Sequence, residues 1–175
     1  MAPAIESKAV KWGILGAARI AEGAIVPGLR NSAVCEACAV AARDKDRAVA
    51  MAERCGIPRA YGSYDALLAD PEVEVVYVSL PNHLHVEWAR KAADAGKHVL
   101  IEKPAGLTRG DLAALDGIDP ALRIAEAFMV RHQPRWQALR ARLAGGEHGD
   151  VRTVSSLLSF MMTKEDDFRT KPEWG

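Results

Sequence analysis

Residues 10–21 read VKWGILGAARIA, an apolar run that reaches a glycine and continues into a stretch suited to a helix. A short apolar run with a turn signal at its end predicts a buried strand over residues 10–15. Similar runs, each followed by a helix-like segment, recur along the chain to about residue 128. This alternation is typical of an α/β fold in which helices cross over between parallel strands. The further strands are predicted at residues 34–42, 73–79, 97–101 and 122–126.

Helix boundaries are marked by residues that cap helix ends. Asp44 is predicted to cap the helix that follows the second strand, and Gly56 is predicted to end that helix. Thr108 is followed three residues later by Asp111, a spacing that resembles a capping box. These signals support the boundaries drawn from the apolar runs.

Residues 16–21 lie where dinucleotide-binding domains carry the motif G-x-G-x-x-G/A. In that motif the first glycine makes a tight turn, the second lets the backbone approach a pyrophosphate, and the third lets the helix pack closely on the strand. The three positions are Gly16, Ala18 and Ala21 here. Because only the first is a glycine, two interpretations are open: a cofactor loop or an ordinary turn in a parallel sheet. The strand before it and the helix after it favour a cofactor loop in a doubly wound sheet of the Rossmann type.

The end of the second predicted strand indicates which dinucleotide would bind. A carboxylate that holds the ribose is expected roughly 20 residues after the glycines, and Glu36 has this spacing but lies at the wrong end of the strand. The carboxyl-terminal tip carries Arg43 and Asp44. An arginine there suits a 2′-phosphate, which favours NADP over NAD. The alternative is that Arg43 is a solvated loop residue and that Asp44 only caps the next helix.

The composition excludes several classes of protein. With 23 Lys and Arg against 23 Asp and Glu, the formal net charge is zero, and nucleic acid and anionic membranes are not expected partners. No apolar run approaches the roughly 20 residues that span a bilayer, and the first residues do not resemble a secretory signal, so we expect a cytoplasmic protein. Cys35 and Cys38 form a C-x-x-C within a predicted strand. We interpret them as core thiols and predict no metal site.

The pattern changes after residue 128 and predicts two domains, with residues 1–128 forming the dinucleotide-binding domain and residues 129–175 beginning a second one. Trp136, Leu139 and Leu143 mark an amphipathic helix that ends at Gly145. A long strand is predicted over residues 151–162, with no later strand to pair with. These would be the first helix and strand of a truncated α+β domain. An unpaired apolar strand predicts association with a second copy of the chain.

Two further stretches follow predicted strands at the same edge of the sheet: SLPNHLH at residues 79–85 and IEKP at residues 101–104. With the Ala-rich loop at Gly16 and the strand end AARD at residues 41–44, they make the chain resemble the glucose-fructose oxidoreductase, inositol dehydrogenase and rhizopine-catabolism (Gfo/Idh/MocA) family. Residues 60–85 and 125–134 add to the resemblance, which covers essentially the whole chain. Within the family, the chain most resembles the NADP-using dihydrodiol and D-xylose dehydrogenases.

The resemblance implies an NADP-dependent oxidoreductase that transfers a hydride between the nicotinamide and a secondary alcohol of a sugar, polyol or cyclic diol. Such a reaction needs a group that handles the hydroxyl proton. In the family this group is the lysine of E-K-P, here Lys103, which would act if burial and the cofactor's charge kept its amine neutral. The family also suggests a cis bond between Lys103 and Pro104. The predicted cofactor-binding residues are Gly16, Ala17, Ala18, Arg19, Ile20, Arg43, Leu80, Pro81, Asn82, His85, Glu102, Lys103 and Arg131.

Three of these residues also fit a purely structural interpretation. Asn82 is equally suited to be a plain helix cap. His85 is equally suited to be a histidine whose hydrogen bonds are satisfied in the first turn of a helix. Arg131 also fits an ordinary helix start.

The chain departs from the family in its length. Family members continue past the segment that resembles the last residues of this chain, with a second catalytic residue and most of the substrate-binding sheet. One hypothesis is therefore that the chain is the N-terminal portion, or a truncated product, of an NADP-dependent oxidoreductase. The other is that it is a non-catalytic nucleotide-binding remnant that associates through its last strand. A methyltransferase on a similar sheet is disfavoured, because E-K-P has no place in its mechanism.

Overall fold

The computed structural model describes residues 8–159 and contains one sheet of six strands, all parallel. The spatial order of the strands is β3-β2-β1-β4-β5-β6. This order, with helices between successive strands, confirms the predicted α/β fold with a doubly wound parallel sheet. The strands are β1 Val10–Leu15, β2 Cys35–Ala41, β3 Arg59–Tyr61, β4 Val75–Val78, β5 His98–Ile101 and β6 Ile124–Glu126.

The helices begin and end where the capping residues predict. The Asp44 side chain accepts a hydrogen bond of 2.9 Å from the backbone N–H of Asp46 at the start of α2, and Gly56 ends that helix in the left-handed conformation. Thr108 and Asp111 form the predicted capping box. The helices are α1 Val26–Arg30, α2 Lys45–Cys55, α3 Tyr64–Leu68, α4 His85–Asp94, α5 Arg109–Ala113 and α6 Pro134–Ala144, with 3₁₀ helices at Asn82–Leu84 and Met129–His132.

The core lies on both faces of the sheet. Ile14 and Tyr77 point to one face, and Leu15 and Val78 point to the other; all four side chains are completely buried. Two-sided burial of this kind is expected when crossover helices cover a parallel sheet from both sides. It explains why the central strands are apolar at consecutive positions.

The cysteines fit the predicted structural role only in part. Cys38 is buried in the core, as predicted, whereas Cys35 is only half-buried. Burial raises the pKa of the Cys38 thiol. Cys38 is therefore a protonated core side chain at neutral pH.

Two features of the fold differ from the sequence predictions. Strand β3 was not predicted, because its three residues begin with Arg59 and are only half-buried, so no apolar run marks it. The strand predicted over residues 151–162 is wrong where the structure describes it: residues 151–159 have no regular secondary structure, and residues 160–162 lie outside the described part. Its apolar side chains favour a strand, but a strand also needs a hydrogen-bonding neighbour. Within residues 8–159 the sheet of β1 to β6 does not supply one.

The chain divides into two compact units, with the first ending at Ala127 and the second beginning at Phe128. The first unit contains the whole sheet. The second contains α6, which runs to the predicted end at Gly145 and buries none of its residues. Within residues 8–159, no helix is long and apolar enough to cross a membrane.

Candidate functional site

The candidate site lies at the carboxyl ends of the strands. The chain order reverses between β1 and β4, which are neighbours in the sheet, and doubly wound sheets bind ligands outside the strand ends at such a point. The loop at Gly16 follows β1, residues 80–82 follow β4, and residues 102–104 follow β5. Arg43 follows β2, on the other side of β1. The fold therefore brings four of the predicted segments to one edge.

Gly16 turns the chain away from β1 in a conformation that requires glycine. Its φ is +99°, and a Cβ at this position would lie 2.7 Å from the backbone oxygen of Ser79. The Gly16 N–H donates a 2.8 Å hydrogen bond to the Ala41 carbonyl at the end of β2. The turn is thus fixed between the ends of β2 and β4.

A methyl group at this turn should be costly. Gly16→Ala is expected to lower the free energy of unfolding by about 1–3 kcal/mol, because the left-handed backbone is strained for alanine and the Cβ meets backbone atoms. Gly28→Ala is the matched control, since a Cβ there meets nothing within 4 Å and the residue lies in α1. Urea denaturation measures both. Equal stability of the two variants would contradict the account of Gly16.

Ala18, at the second glycine position of the motif, and its neighbour Ala17 adopt this turn without strain. Ala17 and Ala18 are half-buried, and neither has a positive φ. A helical segment starts at Arg19, passes through a π-helical turn at Ala21–Ile25 and continues as α1. Ala21 is completely buried, as expected where the third position of the motif lets helix and strand pack closely. Arg19 and Ile20 are exposed at the start of this segment.

Two arginines lie close to the end of β2: Arg43 follows the strand, and Arg47 lies in the first turn of α2. Arg43 is exposed and interacts with the hydroxyl of Tyr64, whose pKa is raised by burial and lowered to a smaller extent by Arg43 and Arg47. Arg47, one turn into α2, donates a 3.4 Å hydrogen bond to the carbonyl of Ala17. Asp44 caps α2, which confirms the capping part of the alternative interpretation. Arg47 therefore contacts the loop that follows β1, and Arg43 lies beside Tyr64 of α3.

Ser79 joins the ends of β1 and β4. Its hydroxyl lies 2.9 Å from the carbonyl oxygen of Leu15 and 3.2 Å from that of Gly16, and it is buried. Leu80, the next residue, is nearly buried, and Pro81 precedes the 3₁₀ helix that starts at Asn82. Because Leu84 occupies the N-cap position of α4, Asn82 is not the cap of that helix.

Glu102 is held by a buried tyrosine on the neighbouring strand. The hydroxyl of Tyr77 donates a 2.6 Å hydrogen bond to Glu102 Oε1, and Glu102 Oε2 accepts a 3.1 Å bond from the N–H of Lys103. Burial raises the pKa of Tyr77, and the Glu102 carboxylate raises it further. The phenol therefore stays protonated as a donor, and the carboxylate has a fixed orientation.

Lys103 follows Glu102 and points away from the core. Its side chain is exposed, and its peptide bond to Pro104 is cis, as the resemblance suggested. Across the described residues, no hydrogen bond or ion pair involves its ammonium group. The loop after β5 is held in place close to Lys103, because the N–H of Ala105 donates a 3.0 Å hydrogen bond to Glu126 Oε1 on β6. The burial that the sequence argument required is thus not supplied by residues 8–159.

His85 lies beneath the loops rather than at their surface. It is the first residue of α4 and is 1% exposed. Its Nδ1 lies 2.7 Å from the carbonyl oxygen of Pro104, and its Nε2 lies 2.8 Å from that of Leu80. This is the geometry of the structural interpretation, a histidine satisfied in the first turn of a helix.

Arg131 belongs to the second unit. It lies in the 3₁₀ helix Met129–His132 and is exposed. Its predicted contact with a cofactor stays a prediction.

Sequence reasoning missed three contributors to this edge: Arg47, Tyr77 and Ser79. Arg47 could have been found from its place in the first turn of the helix that Asp44 caps, close to Arg43 in sequence. Tyr77 had only a weak signal, a polar hydroxyl inside an otherwise apolar strand. Ser79 stood at a predicted strand end, but nothing in the sequence showed that its hydroxyl reaches back to β1.

Comparison with known proteins gives a consistent result. Residues 10–118 match the family described as an oxidoreductase family with an NAD-binding Rossmann fold, GFO_IDH_MocA. An uncharacterized oxidoreductase of Rhizobium meliloti, ORF334, is 49% identical over 152 residues, which are 86% of this chain and 46% of that protein. D-xylose 1-dehydrogenase (NADP(+)) 2 of Haloferax volcanii is 44% identical over 165 residues, 93% of this chain and 50% of that protein. The chain thus spans about half the length of these relatives.

The fold also matches a solved enzyme structure. KijD10, a 3-ketoreductase from Actinomadura kijaniata solved with NADP, superposes with a TM-score of 0.76 and 36% sequence identity, covering 83% of this chain and 47% of that one. The strand order, the glycine-dependent turn after β1 and the family match point to the same assignment. The chain belongs to the Gfo/Idh/MocA family of oxidoreductases and carries its NAD(P)-binding Rossmann domain.

Proposed function

We propose that the chain is the cofactor-binding part of an NADP-dependent oxidoreductase that acts on a secondary alcohol of a sugar, polyol or cyclic diol. The observation that carries the proposal is the placement of the Gly16 turn and the Glu102–Lys103 pair at the ends of β1 and β5, on either side of β4. The relatives support the substrate class, since one is a D-xylose dehydrogenase and KijD10 is a 3-ketoreductase. A cytoplasmic location is part of the proposal.

The residues present fit a dinucleotide. A Cβ at Gly16 would lie 2.7 Å from the Ser79 oxygen, so only glycine lets the loop after β1 turn this close to the end of β4. The helical segment that starts at Arg19 directs its first N–H groups toward this edge, where an anion is favoured. Residues 16–20 would therefore hold the pyrophosphate of the cofactor.

NADP is favoured over NAD by the charge at the end of β2. Arg43 follows β2 directly, Arg47 contacts the loop after β1, and guanidinium groups bind phosphate oxygens by charge-assisted hydrogen bonds. The nearby carboxylate of Asp44 already accepts a hydrogen bond as the cap of α2. We therefore assign Asp44 to capping α2 rather than to holding the ribose of NAD.

Lys103 is the residue assigned to proton transfer. When bound, the nicotinamide supplies the hydride acceptor in oxidation and the hydride donor in reduction. In oxidation, the Lys103 amine accepts the proton of the substrate hydroxyl as the carbonyl forms, and in reduction its ammonium returns that proton to the carbonyl oxygen. Because Lys103 is exposed in this chain, the cofactor and the rest of the enzyme would have to supply the desolvation that keeps the amine reactive.

Glu102 is assigned to orienting the cofactor, and Tyr77 to orienting Glu102. Tyr77→Phe keeps the ring but removes the 2.6 Å bond to the carboxylate, so we expect a loss of about 1.5–3 kcal/mol in stability and weaker NADPH binding. Tyr61→Phe is the matched control, because the Tyr61 hydroxyl donates a 3.0 Å bond to Asp70, away from this edge. Denaturation and fluorescence titration with NADPH measure both effects. If the two variants weaken NADPH binding equally, Tyr77 has no specific role at the site.

The function itself is tested by following NADPH absorbance while the chain is offered sugars, polyols and cyclic diols. The proposal expects cofactor-dependent oxidation of at least one compound. The exposure of Lys103, whose ammonium group has no partner among residues 8–159, favours a second candidate, a nucleotide-binding remnant without activity. That candidate expects NADPH binding without turnover of any compound in the panel.

Association with a second copy is also part of the proposal. Val154, Leu157 and Leu158 of the second unit are 81%, 93% and 88% exposed, and adjacent exposed apolar side chains favour association. Light scattering on the purified chain tests this. A monomer at all concentrations would contradict it.

A further inference from the structure

The His85 ring connects two loops, because it contacts Leu80, which lies five residues before it, and Pro104, which lies 19 residues after it. The Pro104 carbonyl comes from the loop after β5, next to Lys103, and the Leu80 carbonyl comes from the loop after β4. Both carbonyl oxygens lie within 2.8 Å of a ring nitrogen. The imidazole is 1% exposed, so solvent does not compete for these contacts.

The two contacts impose a protonation state on the ring. A backbone carbonyl oxygen can only accept a hydrogen bond, and a neutral imidazole has one N–H donor and one acceptor lone pair. In either neutral tautomer, one nitrogen lone pair would face an oxygen lone pair at 2.7 or 2.8 Å, which is repulsive. Both contacts are hydrogen bonds only when both ring nitrogens carry protons.

A positive charge at this place needs compensation. His85 starts α4, where the helix dipole is unfavourable to a cation. The two carbonyl oxygens offset this, because each is the negative end of a peptide dipole and accepts a charge-assisted bond. The short distances of both contacts are those expected for such bonds.

We propose that His85 is a positioning residue, a doubly protonated imidazole that ties the Leu80 carbonyl to the Pro104 carbonyl. It thereby fixes Lys103 relative to the loop after β4, which lies on the side of β1 opposite Arg43 and would therefore receive the nicotinamide half of the cofactor. The ring nitrogens of His85 do not contact the cofactor. This inference rests on the proposed function for the identity of the cofactor. The protonation of the ring does not depend on any cofactor.

The first test is nuclear magnetic resonance of the chain labelled with ¹⁵N in its histidines, at pH 7 and without cofactor. We expect both His85 nitrogens to show the shifts of protonated nitrogens and to couple to the carbonyl carbons of Leu80 and Pro104. An unprotonated nitrogen would overturn the proposal. The measurement needs no variant, so it holds even if replacement of His85 prevents folding.

The second test separates positioning from general stability. His85→Gln keeps only part of the donor capacity, and we expect NADPH to bind about tenfold more weakly or worse, a change of about 1.4 kcal/mol. Adenosine 2′,5′-bisphosphate, which offers only the adenosine half of the cofactor, should bind unchanged. His83→Gln, in an exposed histidine two residues away, is the control and should leave NADPH binding unaltered.

The outcomes of this test are distinct. If His85→Gln weakens the binding of both ligands equally, His85 has only a role in stability and the proposal is overturned. Unchanged binding of NADPH would also overturn it. If neither ligand binds the unaltered chain, the proposed function fails, while the resonance measurement still decides whether the ring is doubly protonated.

Discussion

Lys103→Ala is expected to abolish hydride transfer while leaving NADPH binding intact. Lys103 follows β5 at the edge where the cofactor segments meet, and its ammonium group makes no hydrogen bond or ion pair within residues 8–159, so the fold does not depend on it. Loss of a positioned acid or base lowers rates by about 10²–10⁴-fold. The change should therefore appear in kcat rather than in the dissociation constant for NADPH.

The measurement is the rate of NADPH formation with any active compound from the panel, together with a fluorescence titration of NADPH. Lys91→Ala is the control: Lys91 is exposed on α4 and pairs with Glu87, so its loss removes the same charge away from the edge. Activity of Lys103→Ala equal to that of Lys91→Ala would remove Lys103 from the mechanism.

Arg43→Ala is expected to change which cofactor the chain prefers. In the proposed complex the Arg43 guanidinium binds the 2′-phosphate, which NADH lacks, and a hydrogen bond to a charged group is worth about 1.5–3 kcal/mol. NADPH affinity should therefore fall by roughly tenfold to a hundredfold, while NADH affinity stays nearly constant. Arg47→Ala should act in the same direction, since its side chain reaches the Ala17 carbonyl beside the same loop.

Calorimetric titration with each cofactor measures the two affinities. Arg54→Ala is the matched control, because Arg54 lies on α2, as Arg47 does, but pairs with Glu22. Equal losses for NADPH and NADH in Arg43→Ala would contradict the assignment of Arg43 to the 2′-phosphate.

The sequence predicted the central part of the fold because that part is encoded locally. The apolar runs around Val10–Leu15 and Val75–Val78 are buried on both faces, and Asp44 and Gly56 mark helix ends through contacts with their near neighbours. Strand β3 was missed for the opposite reason. It is short, half-buried and stabilised by pairing with β2, which is distant in sequence.

The site was predicted less completely than the fold. The role of Gly16 could be predicted from the sequence, because a tight turn directly after a strand calls for a residue that tolerates a positive φ, and that residue is glycine. The partners of Glu102 and of the Gly16 turn, Tyr77 and Ser79, lie 25 and 63 residues away, and only the sheet register brings them into contact. His85 was singled out by its motif, but its position under the loops follows from the packing of α4, which the motif does not encode.

The central claim is that this chain forms an NADP-binding Rossmann domain, and thermal unfolding in the presence of cofactor tests it most directly. A ligand that binds only the folded state raises the melting temperature by mass action. We predict one cooperative transition that NADPH shifts upward further than NADH at equal concentration. A transition that neither cofactor shifts would contradict the claim.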